Sequence, residues 1–298
     1  MKMNGLKWVV LLLAVSLVSV FVVSAASPVT DAANAYFAQM PADVYKIDEK
    51  AFVAKVKSGE SMLILDIRQN ADYLKGHVQG AVNIPWGIPI GENIDKLPGD
   101  KVVMVYCYTG QTAGQAVALL NIAGINAKSV NLGWNFGISK VAGVADVMET
   151  KSNELPKLNA VKVNKEVQAA ITEYFKGMDA IKTTMYANYK ISEADAKAVL
   201  DKKDKNVIFL SVRKAEDYEK GHIEGAINIP FAKGMEQQFG KLPKDKKIIV
   251  YCYTGQTAGQ TVAVLRMLGY DAVSLNGGMG MPSNAPQGWA NQGLPVVK

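Results

Sequence analysis

Cysteine occurs twice in 298 residues, and both copies lie in the same ten letters: YCYTGQTAGQ at 106–115 and again at 251–260. Cys107 and Cys252 each stand at the end of an apolar run, VVMVY or KIIVY. Each is followed by a short loop whose glycine, Gly110 or Gly255, opens a stretch of helical character. A thiol in that setting is a nucleophile. Backbone N–H groups of the loop and first helical turn converge on the sulfur, and the positive end of the helix favours an anion there. Glycine lets the loop curl tightly, and the hydroxyls of Thr112 and Thr257 can donate into the same cradle. Tyr108, Thr109 and Gln111 complete the cradle in the first copy, as Tyr253, Thr254 and Gln256 do in the second. The predicted site is therefore covalent, built mostly from backbone, and it calls for neither a metal nor a cofactor.

The elements that must position these loops repeat with them. LDIRQNADYLKGHVQGAVNIP at 65–85 matches LSVRKAEDYEKGHIEGAINIP at 210–230. Arg68 answers to Arg213, His77 to His222 and Gly133 to Gly278, all at the separation that relates the two cysteines. A constant offset through loops means duplication of a whole domain. KIDEKAF and KISEADA correspond one residue out of step, and YFAQM at 36–40 is echoed by YFKGM at 174–178. Within each copy, SMLILDI or NVIFLSV is a short, continuous apolar run, as in a strand buried on both faces. IDEKAFVAKV and ISEADAKAVL have a polar cap, acids in the first turn and helical spacing. TAGQAVALLNIAG and TAGQTVAVLRMLG are small-residue-rich helices that stop at glycine. Strands alternating with helices predict an α/β fold, each copy a mainly parallel sheet with helices on both faces. The expected divisions are a domain over 34–140, a linker over 141–165 and a second domain over 166–298. No residue of one copy is identified as serving the other, so the two sites are expected to work independently.

The combination D-x-R…DY…GH-x-x-GA-x-NIP with a C-x-x-G-x-T loop resembles the rhodanese family of sulfurtransferases, and it runs twice over most of the chain. The resemblance implies two tandem rhodanese-like domains and a persulfide carried on the loop cysteine. The sulfur would come from thiosulfate, mercaptopyruvate or polysulfide and pass to a thiophilic acceptor, by two-step covalent catalysis. Departures from the family pattern bear on the donor. Thiosulfate-using members usually carry basic residues directly after the cysteine, whereas here Tyr108-Thr109 and Tyr253-Thr254 are uncharged. Asp66 of the D-x-R element becomes Ser211, and the late Gly277-Gly278 is Leu132-Gly133 in the first copy. Asp66, Arg68 and Arg213 are expected to support the loops from beneath. The copy that keeps Asp66 is expected to hold the more reactive thiol.

Other readings are weaker. A phosphatase or arsenate reductase needs an arginine to clamp a dianion at the end of the loop, and Ala113 and Ala258 stand there. A disulfide between Cys107 and Cys252 would need two equivalent loops to face each other closely. His77 and His222, the only histidines, sit in the GH turn and are read as hydrogen-bonding residues. The formal charge of +6 comes from scattered lysines without an aromatic stripe, which argues against nucleic acid as a partner. The partners implied are a small sulfur donor and a thiophilic acceptor, with a redox or membrane sulfur enzyme beyond them. The alternative to an enzyme is a carrier that delivers polysulfide sulfur without turnover. At the N-terminus, Lys2 and Lys7 precede an apolar run and the small residues SAAS, the pattern of a signal peptide over 1–26. The expectation is export to the periplasm, with an uncleaved membrane anchor as the alternative.

Overall fold

The computed structural model describes residues 27–157 and 159–298, so the N-terminal run read as a signal peptide or anchor lies outside the described residues. Among the described residues no helix is long and apolar enough to cross a membrane. Each half builds a five-stranded parallel sheet. The strands of the first are β1 (Lys46–Ile47), β2 (Leu63–Asp66), β3 (Ala81–Asn83), β4 (Val103–Tyr106) and β5 (Ala127–Val130). Their spatial order is β1-β5-β4-β2-β3. The second half repeats it with β6 (Lys190–Ile191), β7 (Val207–Ser211), β8 (Ile227–Asn228), β9 (Lys247–Tyr251) and β10 (Asp271–Leu275), ordered β6-β10-β9-β7-β8. Every residue of β2 and β4 is buried, which is why 63–65 and 103–106 are unbroken apolar runs rather than alternating ones.

Four helices decide how the halves meet: α1 (Pro28–Ala38), α2 (Gln111–Ile122), α3 (Lys165–Ala180) and α4 (Gln256–Met267). Helices α2 and α4 follow the two cysteine loops and pack against each other at backbone distance. A Cβ on Gly114 would lie 2.3 Å from the Gln256 carbonyl oxygen, and one on Gly259 2.3 Å from that of Gln111. The small residues of TAGQ are thus the surface on which one half docks on the other. Almost every residue of α2 is buried in consequence, as befits a helix covered on all sides.

The lead-in helices are exchanged. Helix α1 sets Phe37 edge-on against Phe231 at 5.5 Å and Phe239 at 5.7 Å, both in the second half. Helix α3 sets Phe175 against Trp86 of the first half at 5.3 Å. The tyrosines beside those phenylalanines repeat the exchange. Tyr36 donates to Gln260 Oε1 at 2.7 Å, and Tyr174 to Gln115 Oε1 at 2.5 Å. Each expected domain therefore contributes a helix to the other, and one apolar cluster runs through both. The segment expected to be a linker lies along the first half: Met148–Glu149 pairs with His77–Val78, and Val161 donates to the Leu97 carbonyl at 3.0 Å. A polar composition reads as a free joint, but its backbone groups still need partners and find them on the nearest exposed loop and strand.

Candidate active site

Strands β4 and β9 deliver Cys107 and Cys252 at their carboxyl ends, where open α/β sheets place reactive groups. Both thiols are free, and each residue is 2% exposed. Gly110 N–H donates to Cys107 Sγ at 3.2 Å and Ala113 N–H at 3.3 Å, while Gly255 N–H donates to Cys252 Sγ at 3.1 Å. These bonds require a tight reversal. Gly110 and Gly255 make it at φ of 87° and 92°, the left-handed region that favours glycine. A second glycine pair presses against the loop floor. A Cβ on Gly133 or Gly278 would lie 2.6 Å from the carbonyl oxygen of the cysteine itself.

The other loop residues divide. Thr109, Thr112, Thr254 and Thr257 are half-buried, and Thr254 and Thr257 line a cavity of about 390 Å³ that opens onto Cys252. Tyr253 also lines it, with its hydroxyl turned to Asp217 at 2.5 Å. Tyr108 does the same with Asp72 at 2.6 Å. The hydrogen bonds from Lys75 and Tyr108 hold the Asp72 carboxyl below its ordinary range, and those from Tyr253 and Lys220 do so at Asp217. Burial and then the carboxylate raise both tyrosine pKa values, so these hydroxyls stay donors. Gln256 also lines the cavity at Cys252, while the side-chain amides of Gln111 and Gln256 are engaged elsewhere. Their side chains cross to the other half, Gln111 Nε2 donating to Ser274 Oγ at 2.7 Å and Gln256 Nε2 to Ser129 Oγ at 2.7 Å. A glutamine beside a loop cysteine reads as a ligand residue until the docking of two copies gives its side chain another partner.

Beneath the loops, Arg68 binds Asp66 through Nε at 3.0 Å and Nη2 at 2.6 Å and donates to the Gly76 carbonyl at 2.8 Å. Its guanidinium lies 4.1 Å from the centre of the Trp134 ring. Arg213 donates to the equivalent Gly221 carbonyl, but its buried Nε has no hydrogen-bond partner. His77 and His222 stack on Tyr73 and Tyr218 at 3.6 and 3.9 Å, and their Nδ1 atoms meet the carbonyls of the same tyrosines.

The expectation of two self-contained sites does not hold. Val44, Lys46 and Leu132 of the first half line the cavity at Cys252.

Comparison with known proteins agrees with this geometry. The model of a family described as rhodanese-like domain matches residues 49–136 and again 193–280. A thiosulfate sulfurtransferase, PspE, of Escherichia coli is 36% identical over 72 residues, 24% of this chain and 69% of that protein. A sulfurtransferase of Allochromatium vinosum is 29% identical over 107 residues, 36% of this chain and 91% of its own length. A thiosulfate:glutathione sulfurtransferase of Saccharomyces cerevisiae is 32% identical over 94 residues, covering 27% of this chain and 67% of its own.

Proposed function

The chain belongs to the family of rhodanese-like domains, carries that domain twice and is a sulfurtransferase; from that premise we propose that Cys107 and Cys252 each carry a sulfane sulfur as a persulfide. In the first step the thiolate attacks the outer sulfur of the donor. With thiosulfate, the donor's S–S bond breaks, its electron pair leaves on sulfite, and a new S–S bond joins the outer sulfur to the cysteine. In the second step a thiophilic acceptor such as cyanide attacks that outer sulfur, and the cysteine recovers its thiolate. The observation that carries this reading is the pair of sulfurs held at 3.1–3.3 Å by loop N–H donors that face an anion without needing a base. Two of the three relatives above take their names from thiosulfate, and this favours thiosulfate over mercaptopyruvate or polysulfide as donor. The signal-like N-terminus supports an exported protein that meets its donor and acceptor outside the cytoplasm.

The test uses the full chain with Cys107→Ser, Cys252→Ser and both together, because a serine hydroxyl cannot hold a persulfide. After incubation with thiosulfate, each cysteine peptide should gain the mass of one sulfur atom, and catalytic amounts of protein should convert cyanide to thiocyanate over many cycles. Each single variant should keep part of the activity and the double variant none. One sulfur per cysteine without turnover would make the protein a carrier, and no sulfur on either cysteine would sink the persulfide reading.

A further inference from the structure

Neither loop holds a cation; the lysines that line the cavity at Cys252 are Lys46, from the opposite half, and Lys214, an exposed side chain 4.0 Å from Glu216. Lys46 lies on β1, paired in register with Ser129, and Lys190 lies on β6, paired with Ser274. Those two serines accept the hydrogen bonds of Gln256 and Gln111, the first helical residues of the opposite cysteine loops. The second glutamine of each motif holds the turn just before the lysine. Gln260 Nε2 donates to the Val44 carbonyl at 3.4 Å, and Gln115 Nε2 to that of Asn188 at 3.2 Å. Both glutamines of GQTAGQ therefore fasten the strand that brings a lysine across.

The turns themselves are costly. Val44 and Tyr45 have φ of 50° and 57°, and Asn188 and Tyr189 have 59° and 50°. Consecutive left-handed residues, one of them β-branched, persist only where the surroundings over-determine them. Here Tyr45 donates to the Tyr36 carbonyl at 2.9 Å, and Tyr189 to that of Tyr174 at 3.0 Å. The strained turn is built twice, each time directly before the lysine. Lys46 shares the cavity wall with Cys252. Among the described residues neither lysine forms an ion pair. Glu193, which also accepts the Gly288 N–H, is close enough to Lys190 to favour its charge without forming an ion pair, and Glu49 lines the cavity with no bond to Lys46. Burial pulls both ammonium pKa values down, and the cysteine of the opposite half, Cys252 for Lys46 and Cys107 for Lys190, pulls them back up.

We propose that Lys46 is the anion-holding residue of the Cys252 site and Lys190 that of the Cys107 site, each binding the oxyanion end of an anionic sulfur donor. The inference rests on the sulfurtransferase reading and deepens it. As the cysteine attacks the outer sulfur of thiosulfate, negative charge gathers on the departing sulfite, and the ammonium stands where that charge develops. This supplies in trans the cation that the uncharged Tyr-Thr pair leaves out of each loop.

The experiment compares alkylation of a single-cysteine protein by anionic iodoacetate and by neutral iodoacetamide, a ratio that reads anion preference at the thiol without any sulfur transfer. With only Cys252 present, Lys46→Met should lower the ratio about tenfold, the size of one charge-assisted hydrogen bond, and raise the thiosulfate KM similarly. Lys46→Arg should keep most of it, which shows that a folding defect is not the cause. Lys190→Met should leave this site alone and reproduce the loss when only Cys107 is present. An unchanged ratio, or equal losses at both thiols from either lysine, overturns the proposal. A ratio that falls as stated in a protein whose cysteines gain no sulfur from thiosulfate sinks the persulfide reading and leaves the lysines as the anion-holding residues of the two thiols.

Discussion

The two halves solve the same problem with unequal parts. Under the first loop Arg68 has a carboxylate, Asp66, and an indole, Trp134. Under the second, Arg213 has Ser211 and a buried Nε with no partner. Yet the glycine N–H stands 3.2 Å from the sulfur in one loop and 3.1 Å in the other. The brace has drifted without moving the nucleophile. What has not drifted is the set of letters that face the opposite half: Gln111, Gly114 and Gln115 against Gln256, Gly259 and Gln260. The identity of the ten letters thus has two causes, the cysteine cradle and the contact between copies. Only the first of these is chemistry.

The walls differ as well. Val44, Leu132 and Phe231 give the Cys252 cavity an apolar lining, and the matching positions in the repeat hold Asn188, Gly277 and Trp86.

The largest effect on sulfur transfer should come from the part that the halves share. In Gly114→Ala the new methyl meets the Gln256 carbonyl oxygen at 2.3 Å, and a backbone atom cannot swing aside as a side chain can. Overpacking of this kind costs about 1–3 kcal/mol. It should also separate both lysines from both cysteines, so sulfur transfer should fall in each single-cysteine background, although the substitution lies in one half. Loss confined to Cys107 would mean that the halves are independent after all.

The α/β class, the order of strands and loops and the geometry of both cysteine loops were legible because each is local: apolar runs, a glycine at a left-handed turn, a thiol at a strand end. The exchange of α1 and α3 was not. YFAQM and YFKGM reveal that a helix was copied, but nothing in their letters says which half Phe37 or Phe175 packs on. Lys46 and Lys190 were hidden for the same reason. A lysine before a helix cap reads as solvated surface until a second copy of the sequence is placed against it. The reach of the Gln111 and Gln256 side chains to the other half was not legible, since proximity in sequence to a cysteine says little about where a long side chain ends.

The smallest effects on sulfur transfer come from exchanging the braces, whose changes are read in stability instead. Asp66→Ser leaves Arg68 buried without its carboxylate, which should cost about 3–5 kcal/mol as read by urea unfolding. The reverse change, Ser211→Asp, should not return as much. Arg213 N–H already reaches Ser211 Oγ, at 3.4 Å against 2.9 Å for Arg68 N–H and Asp66, so a carboxylate there would meet both the amide and the orphaned Nε. It would also have to shed its own water at a fully buried position. The net gain should be about 1 kcal/mol. Its sign with pH follows from the pairing. A carboxylate beside an arginine has a folded-state pKa below its unfolded one, so the gain is present at neutral pH and is lost as pH falls through the depressed folded value. A gain independent of pH would show that packing, not charge, was missing. No gain at all would mean that Arg213 is already balanced by Asp217, whose carboxyl it helps to hold low across the Tyr253 hydroxyl, and that the second half replaced its brace rather than losing it.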